Sequence, residues 1–231
     1  MIYGAILAGG TGTRMQRTGL PKQFLPLGDK PVIIHTVEQF LIHPKIDRLY
    51  VAVPQEWLSY AEDLFDKHEN LCVVVGGSDR NSSLMAVIEA IEADFGITDN
   101  DIIVSHDAVR PFVTQRIIDD NIAAGLECGA VDTVVPVTDT IVESNGEFID
   151  AVPLRSRLYH GQTPQTFNIK QLKSLYESLS GEERTILTDA CKIFVIKEKR
   201  VKLVQGEYFN IKITTSFDLE VANALLRGER A

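Results

Sequence analysis

Short apolar runs alternate with amphipathic segments along the first 137 residues of the chain. The runs are rich in Val and Ile, which is typical of strands buried on both faces of a parallel sheet. They are Ile2–Leu7, Leu49–Val53, Cys72–Val75, Ile102–Val104 and Val131–Val137. Between them, apolar residues three and four positions apart predict helices, as in Val32–Leu41 and Ser82–Ile91. This alternation predicts an α/β fold with a doubly wound, mostly parallel (Rossmann-like) sheet, whose ligands bind at the carboxyl ends of the strands.

The pattern changes after about residue 132. A Thr- and Val-rich stretch, Thr133–Ser144, leads to the hairpin turn signal Asn145-Gly146, after which Glu147–Val152 continues. We interpret residues 133–155 as a protruding β-arm on a single domain that spans residues 1–231. The chain then predicts a helix over Ile169–Leu179, a strand over 210–214 and a last helix over Phe217–Leu226.

Composition and charge exclude several classes of function. The 231 residues carry a formal net charge of -9, so a broad nucleic-acid-binding face is not expected. The three cysteines form no CxxC pair, which favours reduced thiols and a cytoplasmic protein. The N-terminus has no basic region followed by a long apolar stretch, and no run reaches the ~18 apolar residues of a membrane span.

The first candidate site is the glycine-rich opening that follows the first predicted strand. Glycines let the backbone approach an anion closely, and successive N–H groups can form an anion-binding nest. Arg14 and Lys22 add two cations nearby, so the loop predicts phosphate binding, although a plain turn is the alternative. The spacing fits neither a Walker A loop nor a dinucleotide fingerprint, because Met15 stands where the third glycine would be and Pro54 where the ribose-binding acid would be.

The second candidate is the segment Gly76–Ser83, between a predicted strand and a predicted helix. Small and hydroxyl residues at this place are ordinary helix N-caps, and that alternative stays open. The functional interpretation is that the segment offers backbone donors to a base or ribose, with Arg80 ordering the loop.

The third candidate is the segment Ser105–Phe112. An acid at a strand end, here Asp107, can hold Mg²⁺ through one carboxylate while phosphates and water supply the other ligands. Arg110 can pair with that acid or contact phosphate. His106 lacks metal-ligand spacing to the other histidines and is interpreted as structural.

Two more basic residues stand apart from these segments: Arg155 at the base of the arm and Lys212 between two isoleucines. Each alone is usually a solvated charge, and strand alternation does not decide which way Lys212 points.

The motifs together resemble a known family. LAGGTGTRM, LPKQF, GGSDRNSS, HDAVRPF, TPQTF, LTDACKIF and NIKIT occur in this order over nearly the whole chain. They resemble the cytidylyltransferase family that includes the 2-C-methyl-erythritol 4-phosphate and ribitol-5-phosphate enzymes. Mannose-1-phosphate guanylyltransferases share the first two motifs, but their Trp-Pro-Leu-Ser segment is absent here. The LAGG opening and the LTDACK segment are closer to the ribitol-phosphate branch.

The resemblance implies a role for each site residue. The catalytic set, which would stabilise the triphosphate and position the acceptor phosphate, is Arg14, Lys22, Arg155 and Lys212. The nucleotide-binding set is Leu7, Ala8, Gly9, Gly10, Gly12, Gly77, Ser78, Asp79, Arg80, Asn81, Ser82, Ser83 and Ala108, the last mainly through its backbone. Asp107 matches the acid that binds the cofactor Mg²⁺.

The resemblance also implies partners. CTP and a polyol phosphate are the expected substrates, and the family is a homodimer whose β-arm reaches into the neighbouring subunit's site, so Arg155 would act there. By pathway logic, a reductase that makes ribitol phosphate from ribulose phosphate is a possible partner. Three other functions stay open: the methylerythritol-phosphate enzyme, a silent nucleotide-binding module, and a nicotinamide oxidoreductase, which the loop spacing disfavours.

Overall fold

The computed structural model describes residues 1–9 and 19–228. Seven strands form its central sheet, in the order β11-β7-β10-β6-β1-β4-β5. These strands are β1 (Ile2–Leu7), β4 (Arg48–Val53), β5 (Leu71–Val75), β6 (Ile102–Asp107), β7 (Ala130–Pro136), β10 (Tyr159–Asn168) and β11 (Lys202–Gln205). Two small two-stranded sheets pair β2 (Pro26–Leu27) with β3 (Lys30–Pro31), and β8 (Glu143–Ser144) with β9 (Ile149–Ala151).

Neighbouring strands of the central sheet run parallel except at β10. β1 pairs in parallel with both β4 and β6, β4 pairs in parallel with β5, and β11 pairs in parallel with β7. β10 is antiparallel to both β6 and β7, between which it lies. The mostly parallel sheet is therefore confirmed, with one reversed strand inserted where the chain returns from the hairpin.

Helices cover both faces of the sheet. Their bounds are α1 (Val32–Leu41), α2 (Leu58–Phe65), α3 (Arg80–Phe95), α4 (Gln115–Cys128), α5 (Ile169–Glu177), α6 (Gly181–Thr185), α7 (Ala190–Ile196) and α8 (Ser216–Gly228). One buried core joins α3, α5 and α7 to the sheet, and a second joins α1, α2 and α4 to its other face. This two-sided burial explains the near-continuous apolar strands and confirms the doubly wound α/β fold.

Local sequence signals fix the ends of several helices. The side chain of Thr114 caps the N-terminus of α4 by accepting a hydrogen bond from Ile117 N at 3.3 Å. At the other end of α4, Gly129 adopts a left-handed φ of 76°, a conformation that glycine reaches without steric cost. Such caps satisfy backbone groups that have no partner inside the helix.

Two predicted segments differ from the structure. The apolar run Val131–Val137 is confirmed as strand β7, so residues 133–136, which are also assigned to the start of the arm, lie inside the central sheet, where Thr133 is fully buried. The protruding hairpin is shorter and consists of β8 and β9. Residues 210–214 form no strand, because β-structure needs a pairing partner and this segment makes only one backbone bond to the loop after β6, from Ile213 N to Val109 O at 2.9 Å.

Over residues 1–9 and 19–228, no helix combines the length and the apolar character needed to cross a lipid bilayer.

Candidate active site

A cavity of about 300 Å³ opens at the carboxyl ends of β1 and β6, beside the N-terminus of α3. Its lining brings together residues from every candidate segment of the sequence that the structure describes, except the arm. The lining residues are Leu7, Ala8, Gly9, Lys22, Gln23, Ser78, Asp79, Arg80, Ser83, Asp107, Ala108, Val109 and Lys212. The place is the one predicted for ligands of a doubly wound sheet.

Asp107 lies at the centre of the charged groups in this cavity. Its carboxylate accepts a hydrogen bond from Arg80 Nε at 3.1 Å and lies 2.8 Å from Lys212 Nζ and 3.5 Å from Arg110 Nε. Burial opposes ionisation of Asp107, but the charges of Arg80, Lys212 and Arg110 outweigh it and hold the pKa of this carboxyl well below its usual range. The carboxylate is therefore ionised at neutral pH.

The cavity is locally cationic although the whole chain is acidic. Lys22, Arg80 and Lys212 line it, and Arg110 lies behind Asp107 with only 9% of its surface exposed. Two carboxylates oppose these cations, those of Asp79 and Asp107. A surplus of converging cations in a half-enclosed site is suited to a polyanionic ligand such as a triphosphate.

The opening segment contributes backbone to the cavity. Leu7 and Ala8 are held in the sheet, since Ala8 N donates to Ala52 O at 2.8 Å and Ala108 N donates to Leu7 O at 3.1 Å. The carbonyl of Ala108 accepts from Thr36 Oγ1 at 3.0 Å, so both backbone groups of Ala108 already have protein partners. Gly9 follows Ala8 on the cavity wall.

Three predicted site residues follow Gly9 in the phosphate loop. Gly10, Gly12 and Arg14 lie outside the described residues, and their roles stay predictions.

Lys22 reaches the cavity from a single 3₁₀ turn, Lys22–Phe24. The next residue anchors this turn, because Gln23 Nε2 donates to Ala8 O at 2.7 Å. Phe24 packs against Trp57 and Tyr60, with ring centroids 5.3 and 4.9 Å away. A buried amide and an aromatic cluster thus fix the backbone from which Lys22 extends.

The segment before α3 is a helix cap as well as a wall of the cavity. Asp79 Oδ1 accepts from Asn81 N and Ser82 N at 2.8 and 2.9 Å, and Ser82 Oγ accepts from Asp79 N at 3.0 Å. This reciprocal pair is a capping box. A side chain at Gly77 would place its Cβ 2.4 Å from Ser82 Oγ, so glycine is required there for close packing. The N-cap interpretation is therefore confirmed for Asp79. Ser78, Asp79, Arg80 and Ser83 also line the cavity, and nucleotide binding by this segment stays a prediction.

The Arg80 side chain links the N-terminus of α3 to Asp107. It extends from the first turn of the helix, and its two Nη atoms are buried with no hydrogen-bond partner among the residues that the structure describes. Buried donors of this kind are costly unless something accepts from them.

Arg155 is not brought to this cavity within one chain. It lies at the base of the hairpin in a short 3₁₀ turn, where its Nη1 donates to Thr138 O at 3.0 Å. It lines a separate shallow pocket between β7 and the start of β10. Of the four predicted catalytic residues, the structure places Lys22 and Lys212 at the cavity and Arg155 away from it.

His106 is buried completely, and burial lowers its pKa to about 4. Its Nε2 lies 3.0 Å from Arg110 O, and its Nδ1 lies 2.8 Å from Thr163 Oγ1. The expectation that His106 is structural agrees with this environment. Sequence reasoning missed Thr163 and Asn210, which hold the segments around Asp107 and Lys212. Both residues are uncharged and stand in the motifs TPQTF and NIKIT without a spacing signal of their own.

The residues around Asp107 fit Mg²⁺ only if phosphates and water supply most of its ligands. In the described part of the chain, no three His, Cys, Asp or Glu side chains converge as metal ligands. A single carboxylate is nevertheless what Mg²⁺ takes from a protein when phosphates and water complete its shell. Two carboxylates line the cavity, those of Asp79 and Asp107. Asp107 is the candidate ligand, because the Asp79 side chain already accepts hydrogen bonds from the N-terminus of α3.

Comparison with known proteins agrees with this site. The sequence pattern of the family described as IspD, 2-C-methyl-D-erythritol 4-phosphate cytidylyltransferase, matches residues 2–228. Ribitol-5-phosphate cytidylyltransferase of Streptococcus pneumoniae serotype 19F (strain G54) is 56% identical over 235 aligned positions, which cover 99% of this chain and 100% of the relative. The protein of the same name from strain Hungary19A-6 matches to the same extent, 56% over 235 positions.

Solved structures of cytidylyltransferases share the fold of this chain. The 4-diphosphocytidyl-2C-methyl-D-erythritol synthase of Anaerococcus prevotii superimposes with a TM-score of 0.80 at 28% identity, over 98% of this chain and 96% of that one. The 2-C-methyl-D-erythritol 4-phosphate cytidylyltransferase of Francisella tularensis superimposes with a TM-score of 0.82 at 26% identity, over 96% of this chain and 98% of that one. With a family match over residues 2–228 and a cationic cavity at the expected edge of the sheet, this chain belongs to the IspD family of cytidylyltransferases and is a nucleotidyltransferase.

Proposed function

We propose that this enzyme transfers the cytidylyl group of CTP to D-ribitol 5-phosphate, giving CDP-ribitol and diphosphate. The observation that carries the choice of acceptor is the 56% identity, over the full length of both chains, to ribitol-5-phosphate cytidylyltransferases. The convergence of Lys22, Arg80 and Lys212 in one cavity supports a reaction between two phosphate-bearing substrates.

In this reaction a phosphate oxygen of the acceptor forms a bond to the α-phosphorus of CTP. The bond from that phosphorus to the oxygen bridging to the β-phosphate breaks, and diphosphate leaves with the electron pair. A phosphomonoester is largely dianionic at neutral pH, since its second pKa is about 6. No side chain has to remove a proton, so the protein's task is to hold two anions together.

The cations of the site divide that task. Lys22 and Arg14 would neutralise charge that builds up on the triphosphate as diphosphate leaves. Lys212, only 2.8 Å from the Asp107 carboxylate, and Arg155 would hold the acceptor phosphate in line with the α-phosphorus. Leu7, Ala8, Gly9 and the segment Gly77–Ser83 would hold the nucleotide.

Asp107 is the residue that would hold Mg²⁺. When bound, the ion supplies charge neutralisation for the triphosphate. The chain's own contribution is an ionised carboxylate at the carboxyl end of β6, kept ionised by the cations around it.

The arm supports a homodimer. Hairpin and flanking residues expose large apolar side chains: Phe148, Ile149, Val152 and Leu154 are 72%, 63%, 59% and 67% exposed. An exposed apolar patch of this kind marks an interaction surface. We propose that it packs on a second copy of the chain and carries Arg155 to the cavity of that copy.

The product would serve poly(ribitol phosphate) teichoic acid synthesis, a step of cell-wall polymer formation in the cytoplasm. The acceptor would come from a reductase that acts on ribulose 5-phosphate. Three free cysteines are compatible with a reducing compartment.

The alternative acceptor is 2-C-methyl-D-erythritol 4-phosphate. The name of the family and the names of the solved relatives favour it, but these relatives are only 26% and 28% identical to this chain.

An acceptor screen tests the assignment. Purified enzyme with CTP and Mg²⁺ is given ribitol 5-phosphate or methylerythritol phosphate, and diphosphate release is measured. We expect rapid release with ribitol phosphate and little with methylerythritol phosphate; the reverse preference would assign the enzyme to the alternative reaction.

Two variants make the screen specific to the cavity. We expect Lys22→Ala and Arg14→Ala each to lower turnover ~10²-fold or more, the size seen when one preorganised donor is lost. Lys170→Ala is the matched control, because Lys170 pairs with Asp99 on the surface at 2.7 Å. Near-normal turnover of both cavity variants would contradict the proposed roles.

A further inference from the structure

A buried amide joins the turn that carries Lys22 to the end of the first strand. The Gln23 side chain is 1% exposed, and its Nε2 donates to Ala8 O at 2.7 Å, across 15 positions of the chain. Ala8 directly follows β1, and its own N–H donates to Ala52 O at 2.8 Å. Lys22, Gln23 and Ala8 all line the cavity, so this bond connects two of its walls.

The turn is too short to set its own place in the molecule. It spans the three residues Lys22–Phe24, and two backbone bonds close it, from Phe24 N to Pro21 O at 2.9 Å and from Leu25 N to Lys22 O at 3.3 Å. Short 3₁₀ turns of this kind have poorer hydrogen-bond geometry than an α-helix. Contacts with the rest of the fold therefore have to fix the point from which Lys22 extends.

Two contacts of different kinds fix the turn. Phe24 packs on the rings of Trp57 and Tyr60, with centroids 5.3 and 4.9 Å away. Apolar burial of this kind is non-directional, whereas a hydrogen bond weakens steeply when its distance or angle changes. The Gln23 amide is therefore the contact that sets the distance and orientation of the turn relative to β1.

The bond requires a neutral donor at position 23. Ala8 O is a carbonyl and can only accept, so Gln23 has to present its NH₂ group, which fixes the orientation of the amide. A carboxylate at this position would have no proton to donate at neutral pH and would repel the carbonyl oxygen.

Precise placement matters for a lysine in such a site. Its ammonium is a compact charge on a flexible four-carbon stem, so the position of the backbone limits where the charge can lie. Donors that stabilise a transition state have to be in place before the reaction, and a misplacement of about 1 Å can cost ~10²-fold in rate.

We propose that Gln23 is a positioning residue for cytidylyl transfer, which holds the Lys22 turn against the end of β1 and so places the Lys22 ammonium for the transition state. The proposal rests on the proposed function, in which Lys22 neutralises charge on the departing diphosphate. Because Gln23 acts through Lys22, its effect should appear in kcat and should vanish when the Lys22 ammonium is removed.

Replacing Gln23 by residues of similar shape tests the proposal. Gln23→Met and Gln23→Glu both remove the donor. We expect each to lower kcat about 10- to 100-fold while the KM values for CTP and ribitol 5-phosphate change less than about threefold, since the lost effect belongs to the transition state. Gln171→Met, at an exposed glutamine on α5, is the matched control and should keep wild-type kinetics. A raised KM for CTP with an unchanged kcat would overturn the proposal, because Gln23 would then serve nucleotide binding alone.

A double substitution separates action through Lys22 from a general effect on the cavity. Lys22→Ala is expected to lower kcat by itself, and Gln23→Met should lower it no further in that background, because the group that Gln23 positions is already gone. Effects of the two substitutions that multiply would overturn the proposal.

Urea unfolding measures a purely structural role. Trp57 is the one tryptophan of the chain and packs on Phe24, so its fluorescence reports the folded fraction directly beside the turn. Expressing kcat per folded molecule keeps the test valid for a variant that folds poorly. If Gln23→Met unfolded at lower urea but kept its kcat per folded molecule, Gln23 would only support the fold and the proposal would be overturned.

Failure of the proposed function can be told apart from failure of this inference. If the wild type used methylerythritol phosphate instead of ribitol phosphate, the acceptor assignment alone would fall, and the same kcat comparison would be made with that acceptor. If Lys22→Ala kept a near-normal kcat, the role of Lys22 would fall and this inference with it. A low kcat for Lys22→Ala beside a normal kcat for Gln23→Met would overturn this inference alone.

Discussion

At the scale of single residues, Asp132 shows how a partly buried carboxylate behaves beside an uncharged amide donor. Its Oδ1 accepts from Gln165 Nε2 at 3.0 Å, and the same amide nitrogen donates to Asp189 Oδ2 at 3.0 Å. Burial, together with the nearby Asp189 charge, raises the pKa of Asp132 to about 6. The pKa of Asp107, whose carboxylate is surrounded by three cations, is shifted in the opposite direction.

This pKa predicts how stability changes with pH. Between about pH 4 and pH 6 the folded protein binds a proton at Asp132 that the unfolded chain releases, so stability falls as pH rises through this window. Asp132→Asn removes that dependence. The difference in unfolding free energy, variant minus wild type, should therefore increase by about 2–3 kcal/mol from pH 4 to pH 8, because the pKa of Asp132 differs by roughly two between the folded and unfolded chain.

Urea unfolding at several pH values measures this difference. Asp66→Asn, at an exposed carboxylate, is the control and should show no such trend. A constant difference between Asp132→Asn and wild type across the range would contradict the prediction.

At the scale of elements, the N-terminus of α3 carries a capping box and also lines the cavity. The capping box between Asp79 and Ser82 fixes the first turn, from which Arg80 reaches Asp107. We expect Asp79→Ala to lower the unfolding free energy by ~1 kcal/mol, the typical cost of losing an N-cap. Asp79→Asn should retain it, because asparagine caps helices as well as aspartate does.

Thermal or urea unfolding of the two variants checks this prediction, and CTP binding adds a second readout. If Asp79→Asn keeps the stability but loses CTP affinity, the negative charge itself acts on the ligand. Equal destabilisation by both substitutions would show that the cap does not account for the role of Asp79.

At the scale of the whole molecule, Arg155 lies outside the cavity of its own chain. This position predicts an active site to which two chains contribute residues. Co-expression of Arg155→Ala with Lys212→Ala yields heterodimers in which one of the two sites has both an intact Lys212 and an intact Arg155 from the other chain. We expect each heterodimer to recover about half of the wild-type turnover, while each homodimeric variant stays poorly active. Differently tagged chains allow the heterodimer to be purified and assayed.

If Arg155 acted within its own chain, every site in the heterodimer would lack one residue and no activity would return. A monomer in sedimentation analysis would also contradict the shared site. The exposed Phe148 and Ile149 on the hairpin make a dimer the expected result.

Features that depend on local pattern could be predicted from the sequence. Apolar runs placed β1 and β4–β6, helical periodicity placed α1 and α3, and Asn145-Gly146 placed the hairpin turn, because each depends on residues close together in the chain. The order of the motifs indicated the family and the chemistry.

Contacts between distant parts of the chain could not be predicted from local pattern. The predicted strand over residues 210–214 was wrong, since a strand exists only where another strand offers its backbone. The contacts of Asp107 with Arg80 and Lys212, and the hydrogen bond from Asn210 Nδ2 to Thr163 O, join residues 27 to 105 positions apart. Alternation fixes the face of a strand on which a side chain lies, whereas the partner it finds there is set by how the layers pack.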